Sequence, residues 1–203
     1  MLALILAGGA GSRLNLGEKP LVTLLGRPML SYIVDAFADA GCTPVVAASL
    51  RTPMTINWCR AQGIEFCKLE GKGYIEDTAD AVINLGEAHP LFVCVSDIPC
   101  ITGEIVVTIR KLYLAGEKDA CSTWIPSLLA RSNMVSYQQE IHGTESFPAG
   151  VNILRGDRIT DPQEELQILL REPRLAFNVN TRKDRADAEV FLRNAGTNIR
   201  TPG

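Results

Sequence analysis

Three short stretches of this chain carry side chains suited to gripping a polyanion. The first is Leu2-Ala-Leu-Ile-Leu-Ala-Gly-Gly-Ala-Gly-Ser-Arg13, followed by Glu18-Lys19-Pro20. Gly8, Gly9 and Gly11 let backbone N–H groups approach an anion because no Cβ intervenes, and Arg13 and Lys19 supply positive charge. The second is Asp97, which follows the apolar run Leu91-Phe-Val-Cys-Val95 by two residues. A carboxylate at a strand end is placed to hold a divalent cation, and Mg²⁺ characteristically takes one or two protein carboxylates plus phosphates and water. The alternative for Asp97 is to cap the helix that begins near Thr102, a long reach along the chain. The third stretch, Phe177-Asn-Val-Asn180, brings the amides of Asn178 and Asn180. Together these groups suit one nucleoside triphosphate.

Two familiar phosphate loops are excluded. A Walker loop needs Ser or Thr after its lysine, whereas Lys19 precedes Pro20. The dinucleotide fingerprint needs a third glycine where this chain has Leu14. An ordinary glycine-rich turn would account for the glycines, but not for Arg13 and Lys19 together.

The elements that must position these groups alternate. Leu2 to Leu6 reads as a buried strand, and Met29, Leu30, Ile33, Val34, Phe37 and Ala40 recur at helical spacing before a C-capping Gly41. Pro44 to Ser49 is a second strand, Thr52 to Ala61 a helix capped by Thr52 with Pro53 in its first turn, and Ile64 to Cys67 a third strand. The loop from Glu70 to Asp77 leads into a helix over Thr78 to Glu87, a strand over Leu91 to Val95 and a helix over Thr102 to Ala115, with Ile105, Val106, Ile109 and Leu112 on its inner face. Ala120 to Trp124 and Phe147 to Leu154 are core strands, and Ile125 to Ser146 is a polar excursion between them. Asp161 and Pro162 open a helix to about Arg171. Ala176 to Thr181 is extended, and Lys183 to Asn194 is the last helix. This order predicts a single domain over residues 1–203, a Rossmann-like three-layer α/β/α sandwich with a mostly parallel sheet and ligands at the carboxyl ends of its strands.

Composition narrows the function. A formal charge of -3 over 203 residues lacks the basic excess of a nucleic-acid or membrane-surface binder. The opening apolar run is too short to span a bilayer, so a cytoplasmic location is expected. The six cysteines form no C-x-x-C pair and read as small reduced core residues, while His89 and His142 sit in loop-like sequence.

Leu6-Ala-Gly-Gly-x-Gly-x-Arg13 with Lys19-Pro20-Leu21 and Gly26-Arg27-Pro28 resembles the signature of the nucleotidyltransferases of the sugar-nucleotide and molybdenum-cofactor type. Gly71-Lys-Gly-Tyr-Ile-Glu-Asp77, Pro148-Ala-Gly-Val-Asn152 and Phe177-Asn-Val-Asn-Thr181 resemble, in the same order, one branch of that family: the archaeal guanylyltransferases acting on adenosylcobinamide phosphate. The likeness covers most of the chain and is thinnest between Trp124 and Phe147. It implies a nucleotide-diphospho-sugar transferase-like fold and transfer of GMP from GTP to adenosylcobinamide phosphate with release of pyrophosphate.

The resemblance also implies roles for residues. Arg13 and Lys19 would neutralise the β- and γ-phosphates, and backbone amides from Ala7 through Gly8, Gly9 and Ala10 to Gly11 would cradle the nucleotide. Asp97, completed by Asn180 directly or through water, would hold Mg²⁺. Guanine would lie near Leu6 to Gly8 and the loop from Gly71 through Gly73 to Asp77, with Glu76 or Asp77 accepting from its N1–H and amine; equally, these two acids could complement a helix N-terminus. Gly150 and Asn152 fall on the acceptor side, with Asn178 near them; for Gly150 and Asn152 the plain alternative is a close backbone approach at a strand bulge. Trp124, Ile125, Leu128, Leu129 and Tyr137 are readable either as a surface for the large corrinoid or as core. A molybdenum-cofactor guanylyltransferase and a non-catalytic GTP-binding module are the competing readings, and monomer and homodimer both remain open.

Overall fold

The apolar run Leu2–Leu6 forms strand β1, and its alternate side chains enter two different cores, one on each face of a sheet. The structure, a computed structural model, describes residues 1–9, 14, 16–129 and 137–198. Two-residue strands β2 (Thr23–Leu24) and β3 (Arg27–Pro28) pair as a hairpin whose turn, Leu25 and Gly26, lies at positive φ. Then follow α1 (Met29–Asp39), β4 (Thr43–Ser49), α2 (Pro53–Gln62), β5 (Glu65–Leu69), α3 (Tyr74–Leu85), β6 (Pro90–Val95) and α4 (Gly103–Ala115). The remainder comprises β7 (Ala120–Pro126), β8 (Gln139–Ile141), β9 (Thr144–Arg155), β10 (Glu165–Leu169) and α5 (Arg182–Asn198).

The main sheet has the order β10-β7-β9-β6-β1-β4-β5, with β8 paired to β9. β1 is parallel to β4 and β6, β4 to β5, and β7 to β10, while β9 runs antiparallel to its neighbours β6 and β7. Helices α1 and α4 cover one face through Leu30, Ile33, Phe37, Ile105, Val106 and Ile109, with Phe37 edge-on to Phe92 at 5.3 Å. Helix α3 covers the other through Ala81 and Val82 against Leu4, Ala47 and Leu91. The expected mostly parallel α/β/α sandwich is the observed fold.

Several local expectations are corrected. The stretch from Asp161 to Arg171 is not a helix: Glu165–Leu169 is strand β10, because its register beside β7 lets Ile168 join the sheet core while Glu165 stays exposed. Its many Glu, Gln and Leu residues favour helix intrinsically, and an open sheet edge overrides that preference. Helix α3 starts at Tyr74 and not at Thr78, so Glu76 and Asp77 lie in its first turn. The segment after Ile125 is not wholly an excursion, since β8 and the start of β9 form a hairpin through His142 and Gly143. Leu112 is exposed, and Tyr113 takes the fourth inward position on α4.

Candidate active site

Asp97 stands at the carboxyl end of β6, and what surrounds it comes from distant parts of the chain. Lys19 Nζ forms an ion pair with Asp97 Oδ2 and donates to Asn180 Oδ1 at 2.7 Å. Both charged side chains are only about one-sixth exposed, at 15% and 16%, so water screens the pair weakly. The other Asp97 oxygen, Oδ1, is buried and has no hydrogen-bond partner among the described residues. A carboxylate oxygen taken from water and left unsatisfied is costly.

Each member of this trio is held by its own element. Pro20 is buried beside Lys19, and Glu18 on the other side grips the start of α2, accepting from Met54 N–H, Thr55 N–H and the Thr55 hydroxyl at 2.7 Å each. Glu18 thus caps α2; Thr52 occupies the cap position, but its hydroxyl is turned to Ser49. Asn178 and Asn180 owe their aim to alternation, because Phe177 and Val179 are buried on the opposite side. Val179 N–H donates to the Asp97 carbonyl at 2.8 Å, which ties this strand-like segment to the end of β6. Asn180 is also fixed from below, since Asp184 accepts from the N–H groups of Asn180 and Thr181 at 3.0 and 2.8 Å, and Thr181 Oγ1 accepts from Asp184 N–H. That reciprocal pair is a capping arrangement for α5.

A cleft of about 290 Å³ opens at the carboxyl ends of the parallel strands, lined by Leu6, Gly8, Gly9, Lys19, Gly71, Gly73, Asp77 and Asp97 from among the expected residues. Leu69 and Val95 join Leu6 in its apolar floor. Gly8 lies close against the end of β4: a Cβ there would come 3.3 Å from Ser49 Cβ, tighter than an ordinary contact, and Ser49 Oγ donates to the Gly8 carbonyl. Arg51, Tyr74 and Ser96 also line the cleft, and the sequence reading did not find them. Arg51 could have been suspected, as a cation two residues beyond the end of β4. Arg13, Ala10 and Gly11 lie outside the described residues.

The other expected residues fall in different surroundings. Asp77 folds the preceding loop around its carboxylate, accepting from Gly71 N–H, Lys72 N–H and Gly73 N–H at 3.1, 3.0 and 3.4 Å, and Glu76 is exposed. Gly150 sits at a φ of +78° where β9 carries extra residues opposite β7, and a Cβ there would come 2.6 Å from Val95 Cγ2. Asn152 lies opposite Val93 and accepts from Thr123 N–H at 3.3 Å, filling the backbone donor exposed by that bulge. Trp124 and Ile125 are core, whereas Leu128 and Tyr137 are exposed.

No trio of His, Cys, Asp or Glu able to hold a metal occurs among the described residues. A divalent ion here would therefore have Asp97 as its carboxylate and complete its shell from phosphate and water, the ligand set that suits Mg²⁺. The unsatisfied Oδ1 of Asp97 fits such an ion.

A mostly parallel sheet with glycine turns, a lysine and a carboxylate at its carboxyl ends defines a nucleotidyl-transfer class of site. The chain belongs to the family of the MobA-like NTP transferase domain, whose model matches residues 3–145, and it is a nucleotidyltransferase. It is 28% identical over 204 residues to the adenosylcobinamide-phosphate guanylyltransferase of Methanocaldococcus jannaschii, covering 96% of this chain and 98% of that protein. In fold it resembles a hypothetical transferase from Thermus thermophilus, with 17% identity, a TM-score of 0.69 and coverage of 91% and 100% of the two chains. It also resembles a CMP:2-keto-3-deoxy-manno-octonic acid synthetase complexed with CTP, with 13% identity, a TM-score of 0.71 and coverage of 96% and 98%.

Proposed function

We propose that this protein transfers GMP from GTP to adenosylcobinamide phosphate, releasing pyrophosphate. The observation that carries the reading is the meeting of Lys19 and Asp97 in one cleft, with Asn180 accepting from Lys19 behind them. The likeness to the Methanocaldococcus enzyme over nearly the whole of both chains supports the choice of nucleotide and acceptor. An oxygen of the acceptor phosphate attacks the α-phosphorus of GTP, the new P–O bond forms as the bond to the β-phosphate breaks, and the electron pair leaves with pyrophosphate. Such a reaction needs alignment and charge neutralisation more than covalent help from the protein.

Lys19 is built for that task. Two of its three protons are committed to Asp97 and Asn180, which leaves one for a phosphate oxygen and fixes the direction in which it points. In this reading the backbone N–H groups of Gly8 and Gly9, which line the cleft, would meet the triphosphate, and the resemblance assigns Arg13 a share of its charge. Leu6, Leu69 and Val95 give the base an apolar seat. Asp97 Oδ1 is the atom that would hold Mg²⁺, with Asn180 beside it. When bound, Mg²⁺ would supply Lewis-acid neutralisation of phosphate charge. Because the Asp77 carboxylate is engaged by three backbone N–H groups, guanine selection in this reading rests more on the loop backbone it shapes.

No helix among the described residues is long and apolar enough to cross a membrane, and the six free cysteines suit a reducing cytoplasm. The test is a pyrophosphate-release assay with GTP, Mg²⁺ and adenosylcobinamide phosphate, run in parallel with a molybdopterin acceptor. Release only with the corrinoid supports the reading; release only with molybdopterin replaces it.

A further inference from the structure

The turn that follows β4 is fixed by two buried hydroxyls and carries a cation to the cleft. Ser49, 1% exposed, accepts from Arg51 N–H through Oγ at 3.2 Å and donates from the same atom to the Gly8 carbonyl at 3.1 Å. Thr52, 0% exposed, accepts from Ser49 N–H at 3.1 Å, and its own N–H donates to the Ser49 carbonyl at 2.9 Å. The backbone of Arg51 is therefore set against the first glycine loop, and the residue lines the cleft.

The charged groups around Arg51 are already engaged. Lys19 is held by Asp97 and Asn180, the Asp77 carboxylate takes three backbone N–H groups, and Glu18 grips the start of α2. The Arg51 guanidinium has no hydrogen bond or ion pair among the described residues. Its place in the sheet says which part of a nucleotide it meets. The strand order β6-β1-β4-β5 puts Arg51 past the end of β4, between Leu6 on β1 and Leu69 on β5, two residues of the apolar floor. Neighbouring strands stand about 5 Å apart, so the end of β4 is roughly 10 Å from the end of β6, which bears Asp97. With the reacting phosphates at Lys19 and Asp97, that offset reaches across the ribose to the base.

We propose that the Arg51 guanidinium reads guanine by donating to its O6 and N7, and so determines specificity for the nucleotide. This assignment rests on the proposed use of GTP. O6 and N7 are two acceptors on one edge of the base, and the planar fork of an arginine matches them with two N–H donors. Adenine turns its N6 amine toward the same fork, donor against donor, and keeps only the N7 contact. The N1–H and 2-amine of guanine need acceptors instead, and these fall to the backbone of the loop that Asp77 shapes. Arginine and loop thus divide the two edges of one base.

The experiment is calorimetric binding, with Mg²⁺, of GTP, 7-deaza-GTP, ATP and CTP to the unaltered protein and to Arg51→Met. 7-Deaza-GTP keeps the phosphates, the ribose and O6 but lacks the N7 acceptor. The unaltered protein is expected to bind it about tenfold more weakly than GTP, the worth of one hydrogen bond to a charged donor. Arg51→Met should bind GTP at least about tenfold more weakly, bind 7-deaza-GTP as tightly as GTP within about twofold, and lose most of its preference for GTP over ATP. Thermal unfolding checks that the variant keeps its fold, and the 7-deaza comparison on the unaltered protein needs no variant at all. Equal binding of GTP and 7-deaza-GTP by the unaltered protein overturns the assignment. So does an Arg51→Met variant in which both ligands weaken by the same factor and their ratio is unchanged, since that puts the guanidinium on the phosphates. A preference of the unaltered protein for ATP or CTP removes the nucleotide of the proposed function and this assignment with it, whereas a preference for GTP without an N7 effect overturns this assignment alone. No acceptor is present in these titrations, so the result is independent of which acceptor the enzyme uses.

Discussion

Lys19 and Asp97 are each other's partner before any substrate arrives, and this sets what their removal does. Lys19→Ala takes away a charge aimed at the phosphates and is expected to lower kcat by about 10²- to 10³-fold, the usual cost of losing one preorganised electrostatic donor. It also leaves a nearly buried carboxylate unpaired, so Lys19→Ala should unfold more easily than a Lys19→Ala/Asp97→Asn double variant in a denaturant titration. Asp97→Asn alone is expected to retain GTP binding and to lose the dependence of turnover on Mg²⁺; an unchanged Mg²⁺ titration would move the metal elsewhere. Both residues were legible in the sequence because their types are unusual in their settings, a lysine before proline and an aspartate just past five apolar residues. Tyr74 and Glu18 were not legible. Their roles depend on which loops meet across the strand ends, and no local pattern states that. Asp77 shows the opposite case, a carboxylate in a suggestive motif whose oxygens are occupied by the backbone of its own loop.

At the scale of the elements, the parallel half of the sheet could be read from its uninterrupted apolar runs, since strands covered on both faces have no polar side to show. The edge could not. Glu165–Leu169 carries helix-favouring residues and becomes β10 only because β7 offers it unpaired backbone groups. The same contest of local and tertiary preference governs Gly150. Its positive φ and its lack of a Cβ, which would come 2.6 Å from Val95 Cγ2, let the bulged β9 lie against β6, so Gly150→Ala should cost about 1–3 kcal/mol. A Val95→Ala/Gly150→Ala variant should recover part of the loss, as read by thermal unfolding; equal midpoints for the single and double variants would show that backbone strain and not contact is responsible. Glu18 is the comparable device on α2. Glu18→Ala removes a helix cap worth about 1 kcal/mol and should lower the melting temperature by about 2–4 °C. It should also raise KM for GTP, because the cap anchors the residue next to Lys19.

For the whole molecule, two buried thiols make stability depend on pH in a stated direction. Burial pushes Cys59 up to about 11 and Cys121 up to about 12, against an ordinary value of 9.0. Both side chains are shut off from water, at 0% and 1% exposure, and they sit in the core cluster that α1, α2 and α4 form against the sheet. Between pH 9 and the native values the unfolded chain has lost these protons while the folded chain keeps them. The native state therefore binds more protons, and the free energy of unfolding must fall as pH rises. Their contribution is fully present below about pH 9 and is gone once pH passes 11 to 12. Each pKa unit corresponds to about 1.4 kcal/mol, so the two groups together withdraw several kcal/mol, a large part of an ordinary domain's stability. Urea unfolding followed from pH 7.5 to 10.5 should hold steady at first and then decline steeply, and Cys59→Ala/Cys121→Ala should decline less across the same interval despite starting lower. A variant that declines as steeply as the unaltered chain would shift the cause to the other thiols that burial pushes up, Cys94, Cys67 and Cys42, or to its lysines and tyrosines. Over the same range an alkylating reagent should find these two thiols only at the rate at which the sheet core opens, because the reactive thiolate is the form that burial disfavours.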